Sequence, residues 1–264
     1  MMPLHTSRVP VAILAMLACV AIPVVACAAD SRFSLSLGTE YSTGDYGGDK
    51  SVDEIYVPVT GTLDVDRVSF RLTVPFLSVR APEGTVIEGP DGQPVVGEGP
   101  KTTESGIGDV LASVTVFDVL TADSGDVALD LTGKVKFGTA DADKGLGTGE
   151  QDYSVQADLF RFFDRFTVLG SVGYAFRGDP DVVDLEDTFF ASVGGTYSVT
   201  SQTRCGVFYD FREASLPGSD SLQELTGLVS TRLSGDWRLH GYLIAGFGDN
   251  SPDWGAGLSI ATTF

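Results

Sequence analysis

Three observations predict an all-β fold, an antiparallel up-and-down transmembrane β-barrel of about twelve strands. Apolar residues recur at every second position, in segments of about ten to fourteen residues, from position 31 onward. Short turns alternate with longer polar loops along the same stretch. The final segment, Trp254-Gly-Ala-Gly-Leu-Ser-Ile-Ala-Thr-Thr-Phe264, is apolar on one face only. Such a strand leaves a raw hydrogen-bonding edge unless it closes a barrel. Tilted strands of about 9–11 residues, lipid-facing at alternate positions, are how barrels cross a bilayer.

Taken in chain order, residues 1–29 read as an export signal. Arg8 gives a positive start, residues 9–25 are apolar, and Ala26-Cys27-Ala28 offers a small-x-small cleavage site. A membrane anchor and a lipidation box at Val24-Val25-Ala26-Cys27 are the alternatives. Cleavage leaves residues 30–264 as one barrel domain and Cys205 as its only cysteine, so an intrachain disulfide is not expected.

The first strand carries Phe33, Leu35, Leu37 and Tyr41 on its apolar face, and the second Ile55, Val57, Val59 and Leu63. A tight turn at Asp64-Val-Asp-Arg67 leads back through Phe70, Leu72, Val74 and Phe76. After a loop at 79–106 come Val110, Ala112, Val114 and Val116, then Val127, Leu129, Leu131, Val135 and Phe137. Tyr153 to Leu159 pairs with Phe166 to Phe176 across residues 162–165, and Phe189 to Tyr197 with Val207 to Phe211 across residues 200–202. Leu225, Val229 and Leu233 pair with Trp237 to Phe247 across residues 234–236, and the terminal strand completes an even number. Longer loops at 43–53, 79–106, 138–151, 177–187, 213–223 and 248–253 fall between the tight turns, as outer loops and periplasmic turns do. Tyr41, Phe76, Phe176, Tyr197, Phe211, Trp237, Phe247 and Trp254 gather near segment ends, where membrane interfaces favour aromatic rings.

The opposite register is the lumen face. It places Glu54, Arg71, Asp109, Asp130, Lys134, Lys136, Asp158, Arg204, Asp210, Arg212, Glu224, Arg232 and Arg238 inward, with Arg32, Glu40, Arg165 and His240. Charges at strand centres must pair or face water. They form either a self-neutralising network that shapes the wall or a polar eyelet that screens solutes. Twelve strands lie between the side-chain-filled eight-stranded barrels and the water-filled channels of sixteen or more.

A formal net charge of −19 argues against nucleic acid as a partner. His240 is the only histidine outside the signal, and no serine and third group in the sequence mark it as a catalytic base. No catalytic residue, cofactor or metal is expected. The acidic loops Asp141-Ala-Asp143 and residues 179–187 read as solvated charge, with Ca²⁺ or Mg²⁺ held at the lipopolysaccharide surface as the alternative; Asp141-x-Asp143 lacks the remaining ligands of a calcium loop. Gly145-Leu-Gly-Thr-Gly149 does not follow a buried parallel strand, so it is not a phosphate loop.

Four stretches stand out together: Tyr56-Val-Pro-Val59 with Val68-x-Phe70 and Val74-Pro-Phe76; Gly106-Ile-Gly-Asp-Val110; Lys136-Phe-Gly-Thr139 with Leu146-Gly-Thr-Gly149 and Asp152-Tyr153; and the closing loop from Gly246 to Gly255. Together they resemble an outer-membrane family, the MetA-pathway of phenol degradation. The resemblance covers most of residues 31–264. It implies an outer-membrane barrel that passes small apolar or aromatic compounds, and it brings no catalytic residues. The leading expectation is a passive channel for small molecules in the bacterial outer membrane. A structural or adhesive barrel with a plugged lumen is the second, and a lipid-modifying enzyme the third. Expected partners are outer-membrane lipid and lipopolysaccharide, the barrel-assembly machinery, for which Phe264 is the expected signal, and a small-molecule solute.

Overall fold

The computed structural model describes residues 31–89, 92–122, 125–180 and 184–264. The predicted export signal lies outside the described residues, as does Asp181 of the acidic loop. Thirteen strands form one antiparallel sheet that closes on itself. They are β1 (Ser31–Gly44), β2 (Val52–Val65), β3 (Val68–Pro82), β4 (Lys101–Ile107), β5 (Val110–Thr121), β6 (Val127–Phe137), β7 (Asp152–Phe162), β8 (Phe166–Phe176), β9 (Thr188–Ser198), β10 (Thr203–Arg212), β11 (Leu222–Arg232), β12 (Trp237–Gly246) and β13 (Trp254–Thr263). The predicted count of staves holds, because β4 and β5 are one stave broken at Gly108-Asp109. β3 pairs with β4 through residues 76–82 and with β5 through residues 68–73. The seam is β1 against β13, in register from Ser34↔Thr263 to Thr43↔Trp254. Phe264 donates its N–H to the Phe33 carbonyl and stacks on the Phe33 ring at 6.1 Å.

The alternation read from sequence is the alternation of the wall. Leu37, Leu72, Val155, Val172, Val193, Val207 and Leu258 stand outward and exposed, a continuous apolar band. A closed barrel satisfies every backbone group within the wall, so an apolar exterior makes this a membrane-spanning barrel. Among the described residues no helix is long and apolar enough to cross a membrane; the strands do the crossing. Aromatic pairs mark both ends of the band, Tyr41–Trp254 and Tyr174–Phe176 at one, Phe163–Phe166 and Phe33–Phe264 at the other. Tight turns occupy the second end. At the first of these turns Asp66 takes a left-handed φ of 51°, a conformation short polar side chains tolerate.

One boundary differs from the sequence reading. β3 runs on to Pro82 and β4 begins at Lys101, so the loop predicted over 79–106 is shorter, 83–100. The reason is an inverted pattern. In β2 and β3 Val52, Leu77, Val79 and Ala81 point inward and are buried, whereas Asp53 and Arg80 point outward. These strand ends rise past the lipid band, and their inner face packs on apolar loop residues instead of lining water. Ile87 of loop 83–100 and Ala140 and Leu146 of loop 138–151 complete that cluster.

Candidate functional site

The lumen is crossed at its outer end by loop 83–100. Val86 and Val95 pair as a small hairpin, and Ile87 donates its N–H to the Gly145 carbonyl at 2.9 Å. Gly145 permits this approach: its φ is 67°, and a Cβ there would sit 2.0 Å from the Thr85 carbonyl oxygen. Near the hairpin tip Glu88 is 1% exposed, and its carboxylate accepts the Ser215 hydroxyl at 2.6 Å. β3 and β10 stand six staves apart in a ring of twelve, so the loop leaves one wall and is held at the opposite one. It is a plug.

A buried charge cluster fastens the plug to the wall. The Lys136 ammonium lies 3.1 Å from Asp152 Oδ2 and 3.5 Å from Asp109 Oδ2. It also donates to the Glu88 carbonyl at 3.1 Å and the Thr148 hydroxyl at 3.0 Å. Arg177 meets the same Asp152 oxygen at 3.1 Å. Asp152 Oδ1 accepts the Gly178 N–H, and Asp109 Oδ1 accepts those of Thr139 and Ala140, both at 2.9 Å. Two cations against two carboxylates make the set self-neutral, the condition for charges to be kept from water. The short sequence stretches around Asp109, Thr139 and Asp152 therefore converge on one point in space. Burial pushes the Glu88 carboxyl above the usual carboxylate range; the Ser215 hydroxyl, Arg177 and Lys136 pull it down and Asp152 pushes it further up.

Inward of the plug a cavity of about 240 Å³ opens between β6 and β10, lined among others by Lys134, Gln156, Asp158, Leu169, Phe190 and Arg212. Phe190 packs against Gly173, where a Cβ would lie 2.2 Å from its ring, so the ring takes the space a side chain there would fill and lines the cavity. Asp158 accepts from Ser171 at 2.5 Å and Gln156 at 2.8 Å, and stands in register with Asp130, which accepts the Asp118 N–H.

Of the other residues expected inward, Arg165 lies in the turn between β7 and β8 and on no strand, and the rest fall on the register opposite the apolar face. Glu54 and Glu224 are half-buried on β2 and β11, and Asp210 shares the cavity wall with Arg212. Arg71, Arg204, Arg232 and Arg238 are exposed. Arg204, Arg232 and Arg238 sit within two residues of the turn ends of their strands. Glu40 accepts the Tyr242 hydroxyl, and Tyr242 reaches it by lying over Gly257. His240 is flanked across the ladder by Ser230 and Ser259 and makes a hydrogen bond with neither; its ring neighbour is Tyr242 at 5.6 Å. Sequence reasoning brought Asp109 and Lys136 into the set but missed Asp152, Arg177, Glu88 and Ser215. Asp152 and Arg177 continue the inward register of β7 and β8, a signal that was there to follow. Glu88 and Ser215 lie in irregular loops and left none.

The comparisons with known proteins agree with this architecture. The sequence matches the family described as MetA-pathway of phenol degradation over residues 38–264. No curated protein matches it. Among solved structures it resembles an outer membrane channel from Pseudomonas putida F1, at 14% identity and a TM-score of 0.69, with 90% of this chain and 97% of that chain covered. It resembles the NanC porin at 8% identity and a TM-score of 0.56, covering 86% and 98%, and the KdgM porin at 7% and 0.52, covering 88% and 99%. At these identities the likeness is one of fold. The sequence match spans nearly all of the barrel, and the chain belongs to the MetA-pathway of phenol degradation family.

Proposed function

We propose that the protein is a passive channel of the bacterial outer membrane for small molecules, hydrophobic and aromatic ones among them, surrounded by lipid and lipopolysaccharide. The observation that carries the reading is the cavity of about 240 Å³ inside a closed, externally apolar barrel. Its wall mixes Leu169 and the Phe190 ring with Gln156, Ser171 and Ser192, a surface that suits compounds with an apolar body and few polar groups. Arg71, Asp130, Lys134, Asp158, Arg204, Asp210, Arg212, Glu224, Arg232 and Arg238 are the side chains a permeant passes. The family's name and the fold of the Pseudomonas putida channel support the same reading.

Reconstitution of the full chain in planar bilayers tests it, together with uptake of phenol and toluene into liposomes. Discrete conductance and solute uptake are expected; neither, under any condition, would sink the channel. The plug favours one competing reading, a structural barrel with a sealed lumen. Replacing residues 86–95 with a short Gly-Ser linker separates the two. A channel gains conductance by the replacement, and a barrel blocked along its whole length stays silent. An enzymatic role finds no support in the His240 geometry, and His240→Ala is expected to leave conductance and membrane lipid composition unchanged.

A further inference from the structure

The inner end of the lumen, where the tight turns lie, carries unpaired positive charge. Arg232 on β11 and Arg238 on β12 are direct cross-strand partners, both on the lumen register and both exposed. Arg204 on β10 pairs with Ser230, two residues before Arg232, so the three arginines share one patch over adjacent staves. Diagonal neighbours of this kind stand about 7–8 Å apart, within reach of long side chains. His240 and Ser259 extend the Arg204–Ser230 rung across β12 and β13, and that rung holds no carboxylate. Among the described residues none of the three guanidinium groups has an ion pair or a hydrogen bond, and Asp236 in the turn between β11 and β12 pairs with neither Arg232 nor Arg238.

Like charges directly opposite one another on a ladder destabilise it. The chain had carboxylates to spare, at a net charge of −19, yet places none here. The buried cluster at the outer end matches Lys136 and Arg177 with Asp109 and Asp152, whereas this patch has cations alone. The inward carboxylate of Asp130 sits on β6, six staves from β12 and across the opening. Guanidinium groups present paired N–H donors that match a carboxylate or phosphate group, and the Ser230 and Ser259 hydroxyls add donors beside them.

We propose that this patch is a binding site for small oxyanions, carboxylate or phosphate, at the inner mouth of the barrel. Arg232 and Arg238 hold the anion from neighbouring strands, and Arg204 closes the arc. All three stand on the lumen register and not on the lipid face, so the anion arrives through water and not as a lipid headgroup. Binding itself does not depend on the channel reading; its consequence for transport does. With Asp130 on the far wall, the patch sets a field across the mouth that draws anions along the β10–β12 side and cations along the other.

The test uses the full chain and inorganic phosphate as the probe, against chloride at equal ionic strength. In micelles, phosphate is expected to raise the denaturant midpoint of the wild type and not that of Arg232→Gln. Arg232→Lys, which keeps the charge and loses the fork, should retain part of the gain. Without phosphate, Arg232→Gln should be at least as stable as the wild type, because it relieves the opposed pair. In bilayers, phosphate on the turn side should lower the chloride current of the wild type. The triple variant Arg204→Gln, Arg232→Gln, Arg238→Gln should ignore it, and its chloride-over-potassium permeability ratio should fall about eightfold. That is about twofold per arginine, the effect of a unit charge about 8 Å from a path through water. Equal stabilisation of wild type and Arg232→Gln by phosphate overturns the site. So does an Arg232→Gln barrel weakened in the absence of phosphate, which would make the arginine pair structural. A protein that conducts with no dependence on the arginines keeps the channel and loses the site. One that binds phosphate through Arg232 yet never conducts loses the channel and keeps the site.

Discussion

Asp109 and Asp152 show what single residues do in this lumen. Each carboxylate divides its oxygens, one toward backbone N–H groups of a neighbouring loop and one toward the Lys136 ammonium. A loop is thereby tied to the wall through one side chain. Removing one partner of a buried pair strands the other charge, which costs about 3–5 kcal/mol. Asp152→Ala, which removes the carboxylate that Lys136 and Arg177 share, is therefore expected to lower stability by about that much in denaturant unfolding of the full chain in micelles. Lys144→Ala, which breaks the exposed pair with Asp141, should change it by no more than about 0.5 kcal/mol. The alternation alone placed Asp109 and Lys136 inward. It could not say that they meet, because they are brought together by the break at Gly108 and by glycines such as Gly147, whose Cβ would collide with Asp109.

At the scale of elements, the strands were legible and the plug was not. A strand facing lipid on one side and water on the other writes its register into the sequence. A loop docked inside a barrel writes nothing periodic. Its only trace was the inverted polarity of Leu77, Val79 and Ala81, which made a strand end look like loop. The plug has its own chemistry. A carboxyl raised by burial favours the docked state when protonated. Docking is thus strongest below the ordinary glutamate value and weakens as pH rises through the raised value of Glu88. Ser215, Arg177, Lys136 and Asp152 are the groups that face it. Open-channel probability should rise with pH in bilayer recordings, and Glu88→Gln should flatten that dependence. Ser215→Ala, which removes the latch hydroxyl, should raise open probability at every pH. A wild type indifferent to pH would show that the plug does not move.

For the molecule as a whole, inside and outside are chemically opposite surfaces carried by the same strands. Val193 and Ser192 are neighbours on β9, one toward lipid and the other toward the cavity. Val193→Arg should cost about 2–4 kcal/mol at the bilayer midplane. Ser192→Arg should cost clearly less, because its row holds Asp210 and reaches Asp158 through Ser171. Reversible unfolding in lipid vesicles checks the difference, and equal costs would mean the wall has been assigned the wrong way round. Overall architecture was readable because its pattern repeats in every stave; the fastening of the mouth was not, because it happens once.

The latch between Glu88 and Ser215 joins residues 127 positions apart. A contact that distant waits on the intervening chain, since closing a long loop precedes any reward from the contact that closes it. The Val86–Val95 pairing is local in sequence, whereas its anchor needs β10 in place beside β9. The seal over the outer end is therefore expected to form only after β9 and β10 have paired, which protease sensitivity of loop 83–100 followed during refolding checks. Time, as much as shape, is written into where Ser215 falls in the chain.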